Sequence, residues 1–439
     1  WKALPSIELQ ADEIEIQPVA TGLNFRDLMY AMGMLSDEAV ENGFAGSTLG
    51  MEVSGTITRV GQEVQDYKVG DAVLGFAPAC FSNRVITQTT ATAHKPESWS
   101  FEEAATIPTA FFTVYYAFVH LAQVQPGEKV LIHGASGGVG LAAIQLAKHL
   151  GAIVFATAGT NEKRSLVKNS GADYVLDSRS LAFAEDVLAL TEDEGVDVIL
   201  NSIYGEAINR NLSILKPFGR FLELGKRDFY ENSRIGLRPF RNNITYFGID
   251  ADQLLIERID LAKRLFQDLM NLFRDGHLHP LPHRVFNASR IQDAFRYMQQ
   301  SRQIGKVIVN LPKTLPVETT QQKLKDTLQL NPKANYLVTG GLSGFGLQTA
   351  KWLASKGAKY LTLLGRKGLI ADDAIKAVTV LKESGVTVYT PPCDISDAAQ
   401  VKKVLHNLNI KAPKLSGIIH AATLFDDGLL RSLTPERMR

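Results

Sequence analysis

Four glycines, at positions 134, 137, 138 and 140, are the residues whose spacing points most directly to chemistry. The apolar run VLI precedes them, and an apolar, alanine-rich pattern follows, so the order predicts a strand, a tight turn and a helix. Glycine lets the backbone approach a pyrophosphate, and the N–H groups of a helix N-terminus attract its negative charge. Because the stretch opens a series of alternating strands and helices, it predicts a dinucleotide site rather than a turn that binds no phosphate.

Two cations, Lys163 and Arg164, lie just beyond the second predicted strand of this series, 152–159. That strand ends about 18 residues past Gly140, where an NAD-binding fold places an acidic residue for the ribose diol. The strand end carries no acid, and cations suit a 2′-phosphate, so the sequence predicts NADPH as the cofactor. The alternative is that both cations belong to a solvated helix start.

A second glycine turn begins near residue 340, again between an apolar run and a helical pattern. Its glycines are Gly340, Gly341, Gly344 and Gly346. Arg366 and Lys367 end the next predicted strand, about 20 residues past the last of these glycines, and again predict NADPH. Asp394, in the third predicted strand, is expected near an adenine. The two turns differ in glycine spacing, so they indicate two different nucleotide domains rather than a repeat.

The hydrophobic pattern that predicts the elements positioning these residues changes along the chain. Six strand-like runs alternate with helical patterns over residues 121–250, which predicts an α/β fold with a doubly wound parallel sheet. A long amphipathic helix is predicted at 254–274. The predicted divisions are a β-rich module at 1–120, the NADPH-binding domain at 121–250, a segment returning to the first module at 251–311, a linker at 312–334 and a partial second nucleotide domain at 335–439.

The composition is that of an ordinary globular protein, with 45% apolar and 21% charged residues among 439. A net charge of +1 argues against a nucleic-acid partner. Two cysteines exclude a disulfide framework and a cysteine-rich zinc site, and they fit a reducing, cytoplasmic setting. The most apolar stretch, 104–124, contains Pro108 and His120 and is expected to be a buried helix, not a membrane span. The chain begins at Trp1 without a signal-like region, so we expect a piece of a longer protein.

Residues 1–311 resemble the enoylreductase domain of modular polyketide synthases and animal-type fatty acid synthases, a quinone-oxidoreductase-like medium-chain reductase. The stretches that carry this resemblance are GLNFRD, LGMEVSGTITRVG, AATIPTAFFTVYYAF, HGASGGVGLAAIQLAKHLGA, DVILNS, GRFLELGKRD and RQIGKVIV. Residues 335–439 resemble the first half of a synthase ketoreductase, through TGGLSGFGLQTAKWLASKGA, LLGRKG, CDIS and IIHAATLFDDGLL.

The first resemblance implies a β-rich GroES-like substrate module joined to a Rossmann domain, and NADPH-dependent reduction of a trans-2-enoyl thioester. Hydride would reach Cβ and a proton would reach Cα, while negative charge builds on the thioester oxygen. The implied partners are an acyl carrier protein, which presents the chain on phosphopantetheine, and other domains of the parent synthase. A homodimer is possible for such synthases.

The resemblance also implies site residues. Lys226 and Asp228 follow the fifth predicted strand, at the sheet edge where ligands bind, and are expected to be the proton donor or enolate stabiliser and its orienting partner. The alternative is a turn ion pair that contributes little to stability. The expected cofactor contacts are Gly137, Gly138, Val139, Gly140, Lys163, Arg164, Asn201 and Lys306. The expected residues of the substrate and nicotinamide pocket are Asn24, Phe25, Thr109 and Thr113.

Three departures from the family pattern qualify this expectation. Many polyketide enoylreductases have a tyrosine where this chain has Phe25, which has no proton to give and can only pack against substrate or nicotinamide. Met51 stands where zinc-dependent relatives carry a histidine ligand, so no metal is expected. The catalytic Lys, Ser and Tyr of a ketoreductase would lie beyond residue 439, so we expect the ketoreductase portion to be inactive.

Two other functions stay open at the level of sequence. One is a free-standing quinone or enone reductase, against which the attached ketoreductase-like segment argues. The other is a structural domain that binds NADPH without catalysis, against which the glycine turn, the cations and Lys226 argue.

Overall fold

The computed structural model describes residues 8–35, 40, 43–230, 232–313 and 330–422. The chain divides into two compact units, residues 3–317 and 318–439, each with its own hydrophobic core. Most of the predicted linker 312–334 lies outside the described residues, and so does the part of the IIHAATLFDDGLL stretch that follows residue 422.

The first unit contains two sheets. Its strands are β1 Glu13–Leu23, β2 Glu52–Val60, β3 Ala72–Phe76, β4 Val85–Gln88, β5 Thr92–His94, β6 Lys129–Ile132, β7 Ile153–Ala158, β8 Tyr174–Asp177, β9 Val196–Asn201, β10 Leu215–Glu223, β11 Thr245–Gly248, β12 His283–Asn287 and β13 Lys306–Asn310. Its helices are α1 Phe25–Ala31, α2 Phe101–Ala104, α3 Pro108–Tyr115, α4 Gly138–His149, α5 Asn161–Asn169, α6 Phe183–Leu190, α7 Glu206–Ser213, α8 Arg227–Tyr230, α9 Leu254–Glu257, α10 Ile259–Arg274 and α11 Ile291–Gln299.

The strands β6 to β11 form a parallel sheet in the order β11-β10-β9-β6-β7-β8. Its first strand lies in the middle and the chain winds outward in both directions, as the doubly wound prediction requires. The strands are rich in buried aliphatic residues because both faces of a parallel sheet are covered. All six carboxyl ends therefore meet at one edge, where the loops after β6, β9 and β10 come together.

The other sheet of the first unit has the order β12-β13-β1-β2-β3-β5, and β4 also pairs with β1. The strand β1 is buried over most of its length, with Ile14 and Ile16 fully buried, because it lies inside the sheet beside β2, β4 and β13. The strand β13 pairs antiparallel with β1, and Val307 lies opposite Leu23. This pairing carries residue 306 to the end of β1, where α1 begins, and so brings the two ends of the unit to one place.

The apolar segment Phe101–Leu121 is, among the described residues, the one helical stretch with the length and composition of a membrane span. Most of it is buried inside the protein, and Phe111, Phe112 and Phe118 are fully buried core side chains. A core helix of this kind matches the expectation from sequence. The predicted helix 254–274 is instead divided into α9 and α10, because Arg258 between them has φ −138° and ψ 52°, outside the helical region.

The second unit contains a four-stranded parallel sheet in the order β16-β15-β14-β17. Its strands are β14 Asn335–Thr339, β15 Tyr360–Leu364, β16 Thr387–Tyr389 and β17 Leu415–His420. Its helices are α12 Gly344–Ser355, α13 Asp372–Glu383 and α14 Ala398–Lys411. Each helix connects two parallel strands, so this unit repeats the βαβ principle on a smaller scale.

Candidate functional site

The glycine turn after β6 has the shape that a pyrophosphate requires. Gly134 has φ +63°, a backbone conformation that side chains disfavour. A Cβ atom at Gly140 would lie 2.5 Å from Cα of Ala135, so only glycine lets α4 pack this close to the strand. The helix begins at Gly138 directly after the turn, and the N–H groups of its first turn are free of intrahelical partners. Gly137, Gly138, Val139 and Gly140 therefore lie where an anion would bind.

A buried ion pair lies directly beneath this turn. The Lys306 ammonium donates to Oε1 of Glu52 and, at 2.9 Å, to Oδ1 of Asn24. Asn24 Nδ2 donates to the same Glu52 oxygen at 2.8 Å, and the Thr109 N–H donates to the other at 2.8 Å. Glu52 is fully buried and Lys306 nearly so. The side-chain stem of Lys306 lies under Gly138, at which a Cβ would be 2.7 Å from Cδ of the lysine.

These contacts give two predicted site residues a structural position. Asn24 is the N-cap of α1 and binds both Glu52 and Lys306. The ammonium of Lys306 is directed at Glu52 and Asn24, so its predicted contact with a cofactor stays a prediction. Thr109 Oγ1 is buried without a hydrogen-bond partner among the described residues, which leaves it available to a ligand. Thr113 lies one turn further along α3 and is half-buried.

The predicted cations lie at the end of β7. Lys163 Nζ donates to the Ser301 carbonyl at 2.7 Å, and Arg164 lies 3.2 Å from the Asp177 carboxylate. Arg179 reaches the same place, because a Cβ at Gly159 would lie 3.4 Å from its Nε. Burial lowers the pKa of Lys163, and the Arg179 guanidinium adds to this effect. Sequence reasoning missed Arg179 because it follows β8, the strand next to the one that carries the motif.

The predicted catalytic turn lies at the carboxyl edge of the sheet, directly after β10. Lys226 Nζ lies 2.7 Å from Oδ1 of Asp250, which follows the neighbouring strand β11. Asp228 Oδ2 accepts the Gly205 N–H at 3.2 Å. Sequence reasoning named Asp228 as the orienting partner of Lys226. In the structure Asp250 forms an ion pair with Lys226, which only the adjacency of β10 and β11 could have indicated, and the orienting role of Asp228 stays a prediction.

A second carboxylate, Asp252, completes the acidic side of this turn. Burial raises the pKa of Asp252 to about 6; the Lys226 ammonium opposes this rise, while the Asp250 carboxylate adds to it. Arg26 and Asp27 also act electrostatically on Asp252, so the start of α1 lies near the Lys226 turn. Phe25, beside them on α1, is 63% exposed and forms an apolar surface without a polar group.

Asp27 is fully buried and fixes the start of α1. Its carboxylate accepts the Gly50 N–H at 2.7 Å and the Asn24 N–H at 2.9 Å. Burial raises the pKa of Asp27 to about 6 although both hydrogen bonds oppose the rise. Because the carboxylate joins the start of α1 to the loop before β2, it fixes the loop that carries Asn24 and Phe25.

Asn201 ends β9 and is fully buried. Its Nδ2 donates to the Ile203 carbonyl at 2.7 Å and to Glu223 Oε2 at 2.6 Å. Its Oδ1 accepts from Asn211 Nδ2 at 3.1 Å. The predicted contact of Asn201 with the nicotinamide stays a prediction, and the described contacts give it a supporting role beneath the sheet edge.

The second unit has its own glycine turn after β14. Gly340 and Gly344 have positive φ values, and a Cβ at Gly346 would lie 2.2 Å from the Gly340 carbonyl oxygen. Gly341 completes the turn. Arg366 and Lys367 are exposed after β15. Asp394 accepts from the Ser396 N–H and hydroxyl, and these bonds, together with Arg366, hold its pKa below the usual range. Nucleotide binding at these residues stays a prediction.

Three protein-family models match the chain: an alcohol dehydrogenase GroES-like domain at residues 10–115, a zinc-binding dehydrogenase at 138–265 and a KR domain at 334–439. The crystal structure of CurK enoyl reductase is 38% identical with a TM-score of 0.65, over 71% of this chain and 95% of that one. The apo structure of JamJ enoyl reductase is 37% identical with a TM-score of 0.64, over 71% and 95%. A phenolphthiocerol/phthiocerol polyketide synthase of Mycobacterium tuberculosis is 34% identical over 432 residues, 98% of this chain and 19% of that protein.

Fold and site together define a medium-chain dehydrogenase/reductase with a GroES-like and a Rossmann domain, followed by a KR domain. More narrowly, the chain belongs to the enoyl reductases of polyketide synthases. The family and the fold class predicted from sequence are confirmed. The chain spans about a fifth of the length of the curated polyketide synthase it matches.

Zinc, which the name of one matching family implies, does not fit the residues present. Met51 offers no imidazole, Glu52 is bound to Lys306, and the buried Cys80 thiol donates to the Ala77 carbonyl. In the described part of the chain, no group of three or more His, Cys, Asp or Glu side chains could hold a metal ion.

Proposed function

We propose that the first unit is an NADPH-dependent, zinc-free enoyl-thioester reductase. The observation that carries the proposal is the Lys226–Asp250 ion pair, at 2.7 Å, on the carboxyl edge of a sheet whose glycine turn fits a pyrophosphate. When bound, NADPH supplies the hydride for Cβ of a trans-2-enoyl thioester. The chain then has to place the substrate, offset the negative charge on the thioester oxygen and deliver a proton to Cα.

Lys226 is suited to the last two tasks. An ammonium at the sheet edge stabilises negative charge that develops on an oxygen, and it also carries a transferable proton. Asp250 holds this ammonium in place. Phe25 has no proton to give and can only pack against substrate or nicotinamide. Asp228 remains a second candidate for orienting the turn, through its bond to the Gly205 N–H.

The preference for NADPH rests on charge. Lys163, Arg164 and Arg179 converge at the end of β7, where a ribose 2′-phosphate would lie. Asp177 offsets part of this positive charge through its ion pair with Arg164. Such a cluster favours a phosphate over a diol because guanidinium and ammonium groups bind phosphate oxygens strongly.

The substrate is proposed to be carried on the phosphopantetheine of an acyl carrier protein, beside other domains of a cytoplasmic synthase that could form a homodimer. The polyketide synthase relatives support this proposal because this chain corresponds to a part of them. The ketoreductase portion is proposed to be inactive in this polypeptide, and reduction of a β-ketoacyl thioester by the protein would contradict this proposal.

The decisive experiment is NADPH consumption with a short trans-2-enoyl pantetheine thioester, beside a simple quinone and a β-ketoacyl thioester. We expect consumption with the enoyl thioester alone. Consumption with the quinone alone would contradict the proposal and indicate a free-standing reductase. Binding of NADPH without consumption of any acceptor, also after the enoyl chain is supplied on a carrier protein, would indicate a non-catalytic domain.

A further inference from the structure

Five buried polar side chains form one continuous line beneath the carboxyl edge of the parallel sheet. The line runs from Thr157 on β7 through His133 after β6, Asn211 on α7 and Asn201 on β9 to Glu223 on β10. Its contacts measure 3.0, 2.8, 3.1 and 2.6 Å in that order. None of the five side chains is more than slightly exposed. A core does not retain this many polar groups unless each is satisfied, so the line is one structural unit.

The chemistry of the groups fixes the direction of every hydrogen bond. The Ile203 carbonyl can only accept, so the atom of Asn201 that faces it is Nδ2, and its Oδ1 must face Asn211. Asn211 donates Nδ2 to that oxygen and turns its own Oδ1 to Nε2 of His133. A carbonyl oxygen only accepts, so Nε2 of the imidazole carries the proton.

The other end of the line follows from the same reasoning. Burial lowers the pKa of His133 to about 4, so the imidazole is neutral and its Nδ1 accepts. The hydroxyl of Thr157 therefore donates to Nδ1. Every donor in the line points in one direction, toward Glu223, and the successive dipoles polarise one another.

Glu223 receives this line at one oxygen and the catalytic turn at the other. Oε2 accepts from Asn201 at 2.6 Å, and Oε1 accepts the Gly225 N–H at 2.6 Å. Gly225 directly precedes Lys226 in the sequence. The carboxylate accepts strongly at both oxygens, whereas a protonated carboxyl is a weaker acceptor and adds an O–H that neither Asn201 Nδ2 nor the Gly225 N–H can accept. The ionisation of Glu223 therefore decides how strongly the Gly225 N–H is held.

We propose that Glu223 is a positioning residue whose carboxylate holds the Lys226 turn in its active arrangement and releases it on protonation. This inference rests on the proposed function. The groups that face Glu223 are Asn201 on β9, Gly225 and Asp228 after β10, and Tyr246 on β11. Burial raises the pKa of Glu223 to about 7; the bonds from Asn201 and Gly225 oppose this rise and the Asp228 charge adds to it. The switch therefore lies near neutral pH, with the active form on the alkaline side.

The test compares the pH profile of the whole protein with that of Glu223→Gln. The Gln side chain keeps the size of Glu, but its Nε2 meets a donor from Asn201 or Gly225, and one unsatisfied bond corresponds to about tenfold in rate. We expect kcat to fall by about this factor. The decrease of kcat on the acid side of pH 7 is expected to disappear. The dissociation constant of NADPH is expected to change less than twofold. The control Asp252→Asn removes a different carboxyl group whose pKa is raised, and it is expected to keep the decrease of kcat on the acid side of pH 7.

The double variant Asn201→Asp, Glu223→Gln tests the direction of the line. The new carboxylate at position 201 accepts from Asn211 and from the amide introduced at position 223, whose oxygen then accepts the Gly225 N–H, so the donors and acceptors between Asn211 and Gly225 match again; the bond to the Ile203 carbonyl is not restored. We expect its kcat to recover part of the loss seen in Glu223→Gln, whereas Asn201→Asp alone is slow. A wild-type pH profile in Glu223→Gln, or a double variant as slow as both single variants, overturns the inference.

Two measurements without substrate keep the inference testable if enoyl thioester is not reduced. In the wild-type protein, the infrared carbonyl band of a protonated carboxyl that Glu223→Gln lacks is expected to appear as the pH falls through 7. The Gly225 and Lys226 amides are expected to exchange hydrogen faster, by several-fold after correction for intrinsic rates, when that band is present. Absence of the band, or exchange that does not follow it, overturns the inference whatever substrate the protein reduces.

Discussion

At the scale of single residues, Lys226 has a matched control on the same strand-and-turn segment. Lys216, near the start of β10, forms an ion pair with Glu194 at 3.1 Å, and the two lysine side chains are similarly exposed, 24% and 29%. Of these two lysines, Lys226 lies at the carboxyl edge of the sheet and Lys216 does not. Lys226→Ala is expected to lower kcat by about a hundredfold, the scale of a lost proton donor, and to leave NADPH binding unchanged.

Lys216→Ala is expected to change kcat less than twofold, because an exposed ion pair contributes little. The measurement is steady-state reduction of an enoyl pantetheine thioester, with NADPH binding followed by fluorescence. If both variants keep wild-type turnover, Lys226 has no part in the reaction. If Lys226→Ala instead loses NADPH binding, its role is in the cofactor site.

The cations after β7 and β8 give a prediction about cofactor choice. Lys163→Ala and Arg179→Ala are each expected to weaken NADPH binding about tenfold or more, because each removes a charge-assisted hydrogen bond to the 2′-phosphate. The dissociation constant of NADH, which lacks this phosphate, is expected to change little. Lys148→Ala is the control, since Lys148 pairs with Asp173 at 2.9 Å on the surface. Equal weakening for both cofactors would place the cations outside the phosphate site.

At the scale of elements, the Glu52–Lys306 pair joins β2 to β13 and supports the glycine turn. Lys306→Met leaves the fully buried Glu52 without its cation, and a broken buried pair costs about 3–5 kcal/mol. We therefore expect a clear fall in the thermal midpoint of the first unit. The double variant Lys306→Met, Glu52→Gln removes both charges and keeps an acceptor for the Thr109 N–H. It is expected to recover more than half of the lost stability by calorimetry.

The matched surface variant is Lys148→Met, which removes an exposed lysine and is expected to shift the midpoint by less than a degree or two. If the double variant is no more stable than Lys306→Met, the stability lost in Lys306→Met does not come from the unpaired charge of Glu52. It then comes from the positions of Asn24 and Thr109, which depend on Lys306. Either result shows how much of the stability at the glycine turn comes from the charge of Lys306 and how much from packing of its side-chain stem under Gly138.

Local elements were readable from sequence because their signals are local. The strand, glycine turn and helix around Gly140 lie within one short segment, and the parallel sheet follows from the alternation of patterns. The partner of Lys226 was not readable in this way. Asp250 reaches it only because β11 lies beside β10. Lys306 meets Glu52, 254 residues away in the chain, only because β13 and β2 both pair with β1. The line that ends at Glu223 likewise joins four elements that no sequence pattern connects.

At the scale of the whole molecule, the two compact units each carry a glycine turn, and matched variants assign the activity to one of them. A Cβ would lie 2.5 Å from Ala135 at Gly140, and 2.2 Å from the Gly340 carbonyl at Gly346. Gly140→Val is expected to abolish enoyl reduction. Gly346→Val is expected to leave it within twofold, since its unit has a separate core. Loss of enoyl reduction in Gly346→Val would show that the second unit takes part in the reaction.

The buried titratable groups make the stability and the activity of the first unit respond oppositely to pH. The pKa values of Asp27 and Asp252 are raised to about 6 and that of Glu223 to about 7, above the values of 3.8, 3.8 and 4.5 that apply to the unfolded chain. The folded unit therefore retains protons that the unfolded chain releases, and stability falls as the pH rises through this window. His133, with its pKa lowered to about 4, acts in the opposite sense as the pH falls below 6.5.

Three carboxyl groups outweigh one imidazole, so the thermal midpoint of the first unit is expected to be higher at pH 5.5 than at pH 7.5, by about 5 °C on the scale of 2–4 °C per kcal/mol. Calorimetry with and without Glu223→Gln checks this, because the variant lacks one of the raised groups and is expected to show a smaller difference. A midpoint that rises toward pH 7.5 would contradict the raised pKa values. If it falls while kcat rises, the ionised form of Glu223 that positions Lys226 is maintained at the expense of stability.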